Sequence, residues 1–382
     1  CLPEIFSELH TEWGALNLAA TSTRFQQARQ ALTQVLSSPE AFAAHGPIID
    51  KFLEKYITDL VSRAESSDAK PIYIIQELKS LNLQLFSNIF TGKGLTKDQE
   101  QLFDDYNSGL LSLTRNSKSY KKGSRALQLL VEEFLKRYKT YATADQNTRE
   151  DNYVCNTYNQ FQKNDPSNWP DERIASSLVL LVWGAYIEVA ALCSSVLVMM
   201  MNQETERRDF IMKNILEEVN DAKRPFIKGV IRESLRLRPP NSGGFRENEN
   251  EFEIAGYRIP AKMVVSADPR IGNMDESLFT EHKSFFPERW VEVAPKASTC
   301  PVTGTARKLG LGSWFPGGIG AHQCPGMGLA EAIGESFVIK FCEKFSDWRC
   351  AGEGLDKQGN IKDVLIPIKI PVDEFTLTVT PR

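Results

Sequence analysis

The first 180 residues alternate between stretches of helical periodicity and short polar breaks. Apolar residues recur every three to four positions in FQQARQALTQVL and in ALQLLVEEFLKRYKTY, which predicts amphipathic helices. Breaks such as SSDAKP and KNDPSNWP separate these runs. The segment at about 22–180 is therefore predicted to be mostly helical.

The pattern changes after Arg238. EFEIAGYRIP and MVVSA have the composition of short strands set among Gly and Pro, and VLIPIKIP and FTLTVTPR alternate in the same way near the C-terminus. We therefore expect a mainly α protein with small β-sheets. We predict one domain over residues 1–382, with a helical body at about 22–238 and a strand-rich part at about 239–382.

The most apolar segment is IASSLVLLVWGAYIEVAALCSSVLVMMM, residues 174–201, in which Glu188 is the only charge. Its length satisfies the rule of about twenty apolar residues for a membrane span. A helix that is apolar all round is also typical of the centre of a large soluble domain. Asp171 and Glu172 just before it favour a helix N-terminus. The hydrophobic pattern alone does not decide between a membrane span and a buried core helix.

Composition narrows the classes of partner. The 382 residues carry a net charge of -4 with interspersed acids and bases, which indicates small molecules rather than nucleic acid as partners. Seven cysteines without regular spacing fit an intracellular reducing compartment, and four histidines without CxxC pairs disfavour a zinc site. The chain begins at Cys1, so a targeting segment is expected to be missing and the compartment, including membrane association, stays unassigned.

Cys324 stands out chemically, within PGGIGAHQCPGMGLAEA. Pro325 is expected in the first turn of a helix, so the sulfur would lie at a helix N-terminus, where a thiolate is favoured. The glycines leave room for a large planar ligand against the backbone. A catalytic nucleophile, a phosphate-binding loop and a buried structural cysteine are the other interpretations of this residue type.

The loop resembles the haem-binding loop of cytochromes P-450, whose pattern is Phe-x-x-Gly-x-basic-x-Cys-x-Gly. The matching residues are Gly320, His322, Cys324 and Gly326. The resemblance extends from about residue 171 to the C-terminus and, more weakly, back to residue 25. It implies the fold of that family and haem b with Cys324 as the axial ligand to iron.

Two further motifs carry the resemblance. ESLRLRPP supplies Glu-x-x-Arg as Glu233 and Arg236, and FFPERW supplies Arg289. Alone, a Glu-x-x-Arg pair is usually a solvated ion pair worth a few tenths of a kcal/mol. In this family the three residues form a buried charge network that braces the cysteine loop, and breaking such a network costs roughly 3 to 5 kcal/mol.

The resemblance also implies residues that hold the haem propionates. Arg246 in GGFR and His322 occupy such positions, and Arg29 in Phe25-x-x-x-Arg29 looks like the corresponding arginine of an early helix. The implied partners are a hydrophobic small-molecule substrate and a separate reductase, because no flavin or iron-sulfur domain is evident in the chain.

The long apolar helix departs from the family. Ala-Gly-x-acid-Thr, which relays protons, is replaced in the expected register by Trp183, Gly184, Ala185, Tyr186 and Ile187. Ile187 has no exchangeable proton. Glu188 follows it, and a carboxyl in an apolar helix is either functional or the partner of a buried arginine. We expect this stretch, with Gly184, Ile187 and Glu188, to line the distal side of the haem.

Two other departures concern the loop and the N-terminus. Gly317 stands where the family places phenylalanine beside the sulfur, which would alter the iron's redox potential. The N-terminal part expected before Phe25 is short. The strands near Phe252 and Val264 would then have an open edge that a partner chain, a removed segment or unusual packing covers.

Three functions follow from the resemblance and its departures. The first is a haem-thiolate monooxygenase that oxidises a hydrophobic small molecule such as a lipid or isoprenoid. The second uses hydrogen peroxide or rearranges a fatty-acid hydroperoxide, in which case the missing alcohol at Ile187 has no effect. The third is a non-catalytic P-450-like subunit of a larger assembly.

Overall fold

The computed structural model describes residues 20–66, 70–112, 114–145, 150–241, 243, 245–291, 314–350, 352, 354–357, 360–364 and 368–382. Cys1 and the rest of the N-terminal segment up to residue 19 lie outside the described residues. The central residues of VLIPIKIP, 365–367, lie outside them as well.

The helices follow the periodic segments of the sequence. Their bounds are α1 Thr23–Ser37, α2 Pro39–Ala64, α3 Ile74–Thr91, α4 Lys97–Leu110, α5 Lys118–Thr143, α6 Tyr153–Asn164, α7 Asp171–Met201, α8 Thr205–Glu217, α9 Pro225–Leu237, α10 Pro269–Asn273 and α11 Met327–Lys344, with a 3-10 turn at Pro287–Trp290. The two helices predicted from periodicity are α1 and α5.

The strands are short and paired in antiparallel twos. They are β1 Phe245–Glu247, β2 Phe252–Ile254, β3 Tyr257–Ile259, β4 Val264–Ser266, β5 Phe345–Cys350, β6 Asp363–Val364, β7 Ile370–Pro371 and β8 Leu377–Pro381. The pairs are β1 with β4, β2 with β3, β5 with β8 and β6 with β7. The prediction of a mainly α protein with small sheets is confirmed.

Helix boundaries are set by local capping. Ser38 ends α1 and is also the N-cap of α2, where its Oγ accepts a hydrogen bond from the Ala41 N–H at 3.0 Å. Pro39 occupies the first turn of α2, a position where a missing N–H costs nothing. Thr96 and Gln99 form a reciprocal capping box at the start of α4.

The apolar helix α7 forms the centre of the molecule. It packs against α3, α5, α9 and α11, and most of its side chains are buried. By length and hydropathy α7 would pass as a membrane span, yet 78% of its apolar window is buried inside the protein. Because other helices of the same protein surround α7, burial in the core explains why it is apolar on all sides. Asp171 and Glu172 lie in its first turn, as the sequence predicts.

Helices α4 and α5 meet at two glycines. A Cβ atom added to Gly123 would lie 2.6 Å from the Cα atom of Gly109, so only glycine allows the two backbones to come this close. This contact fixes the spacing between α4 and α5, and α5 in turn packs on α7.

The strand-rich part differs in detail from the expected pairing. EFEIAGYRIP is a hairpin by itself, with Ala255 and Gly256 at positive φ in its turn. The strand at Val264 pairs with Glu247 of β1 and not with the strand at Phe252. Among the described residues, β1 and β4 pair only with each other, so this sheet has open edges.

Candidate functional site

Cys324 is held in a tight turn before α11. Its N–H donates to the Gly317 carbonyl at 2.7 Å, and the N–H groups of Gly326 and Met327 hydrogen-bond its thiol. Solvent reaches the cysteine, but protein surrounds the sulfur on its other sides, so burial raises the pKa of the thiol against these hydrogen bonds. The expectation for Pro325 is wrong, because α11 begins at Met327 and its N-cap is Gly326.

The turn that leads to Cys324 leaves open space beside its backbone. Gly318 and Gly320 have φ of 76° and 78°, the left-handed region that glycine adopts without strain. A Cβ atom at either position would meet no atom within 4 Å. A flat ligand can therefore approach this stretch of main chain closely.

A methionine fills the space beside Gly317. A Cβ atom at Gly317 would lie 3.2 Å from the Cys324 Cβ and 3.3 Å from the Met327 Sδ. A phenylalanine at this position would displace the Met327 side chain. The thioether, a polarisable apolar group, thus lies where the related loops carry an aromatic ring.

Helix α1 holds the opposite side of the loop. The rings of Phe25 and His322 are 4.4 Å apart, and an Arg29 Nη1 donates to the Gln323 carbonyl. Ser37 at the end of α1 donates from its Oγ to the Pro325 carbonyl. The structure therefore brings Arg29 and His322, two of the predicted propionate-binding residues, to one edge of the loop.

Arg246, the third predicted propionate-binding residue, lies on a different element. It is exposed on β1, opposite Val265 of β4. The structure thus presents cationic groups from α1 and from β1, with His322 in the loop.

One face of α7 opens toward Cys324. Gly184 is exposed although the helix is otherwise buried, and a Cβ atom there would meet nothing within 4 Å. Glu188 is one helical turn further on, so it shares this face. Its charge raises the pKa of the Cys324 thiol, so the two groups lie close enough to interact electrostatically. We call the region around the accessible residues Gly184, Glu188 and Cys324 the cleft.

Ile187 is less accessible than Glu188. Its side chain is 6% exposed and belongs to the hydrophobic core, whereas Glu188 is only half-buried. A step of one residue turns a side chain by about 100° around a helix. Counting from Gly184, the residue that lies one turn along the cleft is Glu188. Of the two residues expected to line the distal side, Glu188 is thus the more accessible in this structure.

Glu188 has a polar partner across the cleft. The Asn241 side chain forms a hydrogen bond with its carboxyl group. Burial raises the pKa of Glu188 to about 7, and the hydrogen bond from Asn241 opposes this rise. Among the residues that the structure describes, its partner is thus an amide and not the buried arginine that the sequence left open.

Glu233, Arg236 and Arg289 form one buried network. Arg236 donates to both Glu233 oxygens, at 2.7 and 2.9 Å, and the Arg289 Nε donates at 3.1 Å. Both Glu233 and Arg236 are 0% exposed. Arg236 also donates to the carbonyls of Asn273 and His282, each at 2.7 Å. The guanidinium is therefore surrounded by acceptors, which is the condition under which a buried charge is tolerated.

Two tryptophans connect this network with the cysteine loop. The Trp290 Nε1 donates to Glu233 Oε2 at 2.8 Å, and its ring lies 4.7 Å from that of Trp314. Trp314 directly precedes the turn that carries Gly317. Glu233 also accepts a 3.1 Å hydrogen bond from the Phe286 N–H. Through the Trp290–Trp314 pair, the carboxylate fixes the start of the loop.

The residues present fit a haem. A thiol with two N–H donors faces the cleft, the loop before it has no side chains at Gly318 and Gly320, and Gly184 opens the facing helix. Arg29 and His322 at the edge suit the propionates of a porphyrin. A metal ligated by sulfur and a macrocycle needs this combination of one thiolate, flat space and peripheral cations.

Sequence reasoning missed Asn241, Met327 and the Trp290–Trp314 pair. Asn241 is a polar residue that directly follows Pro239-Pro240 and lies two positions before Gly243, and this position next to a loop was the available signal. Nothing in the sequence showed that Met327 would fold back against Gly317.

Comparisons with known proteins identify the family and the fold. A model of the cytochrome P-450 family matches residues 5–369. The probable mitochondrial cytochrome P-450 12b2 of Drosophila melanogaster is 24% identical over 233 residues, which is 56% of this chain and 43% of that protein. The putative cytochrome P-450 120 of Synechocystis is 22% identical over 343 residues, 87% of this chain and 72% of that protein. The chain spans less than half the length of the insect relative.

Solved structures share the fold. The retinoic acid-bound cyanobacterial CYP120A1 has a TM-score of 0.80 at 20% identity, over 100% of this chain and 83% of that one. CYP102L1 has a TM-score of 0.78 at 15% identity, over 99% and 87%. P450BioI, in complex with an acyl carrier protein that carries hexadec-9Z-enoic acid, has a TM-score of 0.72 at 16% identity, over 99% and 84%.

Proposed function

The chain belongs to the cytochrome P-450 family, whose cofactor is haem b, and from this premise we propose that it is a haem-thiolate monooxygenase acting on a hydrophobic small molecule. The observation that carries the proposal is the Cys324 thiol, which faces the cleft and is hydrogen-bonded by the N–H groups of Gly326 and Met327. Such donors stabilise a thiolate, the form of cysteine that ligates metal.

Each candidate residue then has a definite role. Cys324 would ligate the haem iron through its sulfur, and Gly320 and Gly326 would keep the loop free of side chains. Arg29, His322 and Arg246 would hold the propionates. Haem bound to a thiolate supplies the chemistry of O–O cleavage. Glu233, Arg236 and Arg289 position the loop from a distance and touch no reactant.

The cleft favours an apolar substrate. Near Gly184 and Glu188, the partly exposed side chains of α7 are those of Leu180, Trp183 and Ala185, and burying such a surface against an apolar ligand is favourable. Two proteins of the same fold were solved with retinoic acid and with a hexadecenoic acyl chain. A lipid or isoprenoid, oxidised with electrons from a separate reductase, fits this lining.

The difference spectrum of the reduced, carbon monoxide-bound protein tests the proposal. We expect a Soret band at the position of a thiolate-ligated haem in the native protein and in the matched control Cys350→Ser. Cys350 is a half-buried cysteine on β5. The band should be lost in Cys324→Ser. Its persistence in that variant, or absence of haem from the native protein, would contradict the assignment, and absence of haem would leave the non-catalytic subunit.

One observation favours a second function. Ile187, where the resemblance to the family places an alcohol, has no exchangeable proton, so a peroxide that brings its own O–O bond is a fitting oxidant. Turnover of hydrogen peroxide or a fatty-acid hydroperoxide without any reductase would select this function. NADPH-dependent turnover that needs a reductase would select the monooxygenase.

A further inference from the structure

We propose that the first two turns of α5 form a docking surface for an acidic protein that presents carboxylates along one of its own helices. Four exposed cations at helical spacing make up this surface: Lys118, Lys121, Lys122 and Arg125. We call them the cationic stripe. The stripe shares no residue with the cleft, and binding to it does not depend on the proposed function.

The stripe covers one face of α5. Positions i, i+3, i+4 and i+7 lie on the same side of a helix, and here they extend over about 10 Å along its axis. The opposite face, with Gly123, Ala126 and Leu130, is buried where α5 packs on α4 and α7. The four cations therefore project from the protein as a single row.

The charge of the stripe is poorly compensated within the chain. Residues 112–131 contain five basic residues and no Asp or Glu, in a chain whose net charge is -4. Lys122 pairs with Asp105 of α4 at 2.7 Å, but its side chain is still 66% exposed. The Arg125 Nη1 donates to a neutral group, the Gln128 Oε1, at 3.2 Å. Within the described part of the chain, Lys118 and Lys121 form no ion pair.

The arrangement of these cations is unfavourable for α5 itself. Like charges three or four residues apart destabilise a helix, and every member of the stripe has such neighbours. The first turn of α5 contains no acidic residue and begins with Lys118, so the helix dipole disfavours the cations as well. Local conflicts of this kind are typical of functional surfaces, and here an anionic partner would relieve the conflict.

The second half of α5 has the ordinary arrangement of a solvated helix. Lys136 and Lys139 are also exposed, but Glu132 lies one turn before Lys136. The Lys139 Nζ is 3.5 Å from an Asp171 carboxylate oxygen. Acids and bases are therefore interspersed there. This half of the same helix provides a matched control for the stripe.

The chemistry of the stripe favours a protein partner over a membrane. A helix that binds a lipid surface needs large apolar side chains beside its cations, and among the described residues of α4 and α5 no large apolar side chain is exposed. The net negative charge of the chain also opposes its approach to an anionic surface. Packed helices lie about 8 to 10 Å apart, so a facing helix with Asp or Glu at the same spacing can reach all four cations.

A partner bound to the stripe would lie close to the cleft. Lys122 contacts α4 through Asp105, and the adjacent Gly123 is the point where the backbones of α4 and α5 meet. Further along α4, the Asn107 Oδ1 accepts a 3.4 Å hydrogen bond from Trp183, the neighbour of Gly184. Helix α4 therefore contacts both the stripe and the part of α7 that borders the cleft.

Fluorescence anisotropy of a labelled peptide tests the proposal on the intact holoprotein. The probe is an alanine-based helical peptide with Glu at i, i+3, i+4 and i+7, and a second peptide of the same composition has its Glu residues distributed around the helix. We expect the first peptide to bind more tightly, with a dissociation constant that increases with salt. The triple variant Lys118→Gln, Lys121→Gln, Arg125→Gln should raise this constant about tenfold at low salt, because three exposed ion pairs are lost.

The matched control is the double variant Lys136→Gln, Lys139→Gln, which should change the dissociation constant by less than about twofold. Equal binding of the two peptides, no binding at low salt, or equal losses in the two variants would overturn the proposal. Vesicles of phosphatidylcholine and phosphatidylserine and a short DNA duplex are the competing probes. If either binds the native protein at least as tightly as the first peptide and does not bind the triple variant, the stripe recognises a membrane or a nucleic acid, and the proposal is wrong.

Thermal unfolding separates recognition from a role in the fold. The triple variant should unfold at the same temperature as the native protein or a higher one, because like-charge repulsion is removed, and the difference should shrink as salt is added. A lower unfolding temperature at low salt would show that the cations stabilise α5, which overturns the proposal. Neither measurement involves turnover, so a negative result leaves the monooxygenase assignment unchanged.

Discussion

The indole of Trp290 donates a 2.8 Å hydrogen bond to the Glu233 carboxylate, which is fully buried. The same ring packs on Trp314 at the entrance to the cysteine loop. One side chain therefore serves two purposes, since it satisfies a buried charge and supports the segment that presents Cys324.

We expect Trp290→Phe to lower the free energy of unfolding by about 1.5 to 3 kcal/mol, because the buried carboxylate loses one donor. Denaturant unfolding measures the change, and haem retention reports on the loop. Trp183→Phe is the matched control, since the Trp183 indole donates only a 3.4 Å hydrogen bond to a neutral amide, Asn107. An equal loss in both variants would contradict the role of the Trp290–Glu233 contact.

Gly184→Ala should stabilise the protein by about 1 kcal/mol, because alanine is the better helix former and its Cβ would enter open space. Gly123→Ala has the same gain in helix propensity but places its Cβ 2.6 Å from the Gly109 Cα. It should therefore be destabilising by about 1 to 3 kcal/mol. Thermal unfolding of the two variants checks the prediction, which fails if they shift in the same direction.

Gly317→Phe should destabilise the loop by about 1 to 3 kcal/mol, because its side chain meets Cys324 and Met327. Adding Met327→Ala vacates the space of the thioether and should recover part of the loss, as non-additive effects of contacting residues do. Denaturant unfolding of the single and double variants, with Met327→Ala alone as the reference, measures this coupling. Additive losses would show that Met327 does not occupy the space.

The stability of the protein should respond to pH through Glu188. Its pKa is about 7 in the folded protein and 4.5 as a free side chain, so the folded state binds the proton more tightly. This contribution is full below about pH 4.5 and is lost as the pH rises through about 7. The difference in stability between the native protein and Glu188→Gln should thus fall by up to about 1.4 kcal/mol per pH unit within this window. Unfolding at several pH values measures it, and a constant difference would contradict it.

The sequence predicted the elements that have a regular hydrophobic period and the residues that match a known motif. The period of α1 and α5 is visible because each buries one face, and the length of α7 is visible because it is apolar all round. The spacing of Glu233 and Arg236 already placed both on one side of α9.

The parts that were not predicted depend on contacts between distant segments. Asn241 meets Glu188 because a turn closed by Gly243 lies over α7, and no local period records that arrangement. Ile187 and Glu188 were both expected to line the distal side, because a helix that is apolar on every side gives no sign of which face borders a cleft. Only the packed structure distinguishes them.

Ser38 is the C-cap of α1 and the N-cap of α2. The number of residues between these two helices therefore affects the geometry of the site. One residue inserted there would separate the two caps and rotate α1 by about 100° relative to the helix that follows. Phe25 and Arg29 would then swing away from His322 and Gln323, although no residue near the sulfur had changed. The positions of Phe25 and Arg29 therefore depend on the number of residues at this corner. An insertion there would be as disruptive as the loss of a ligand.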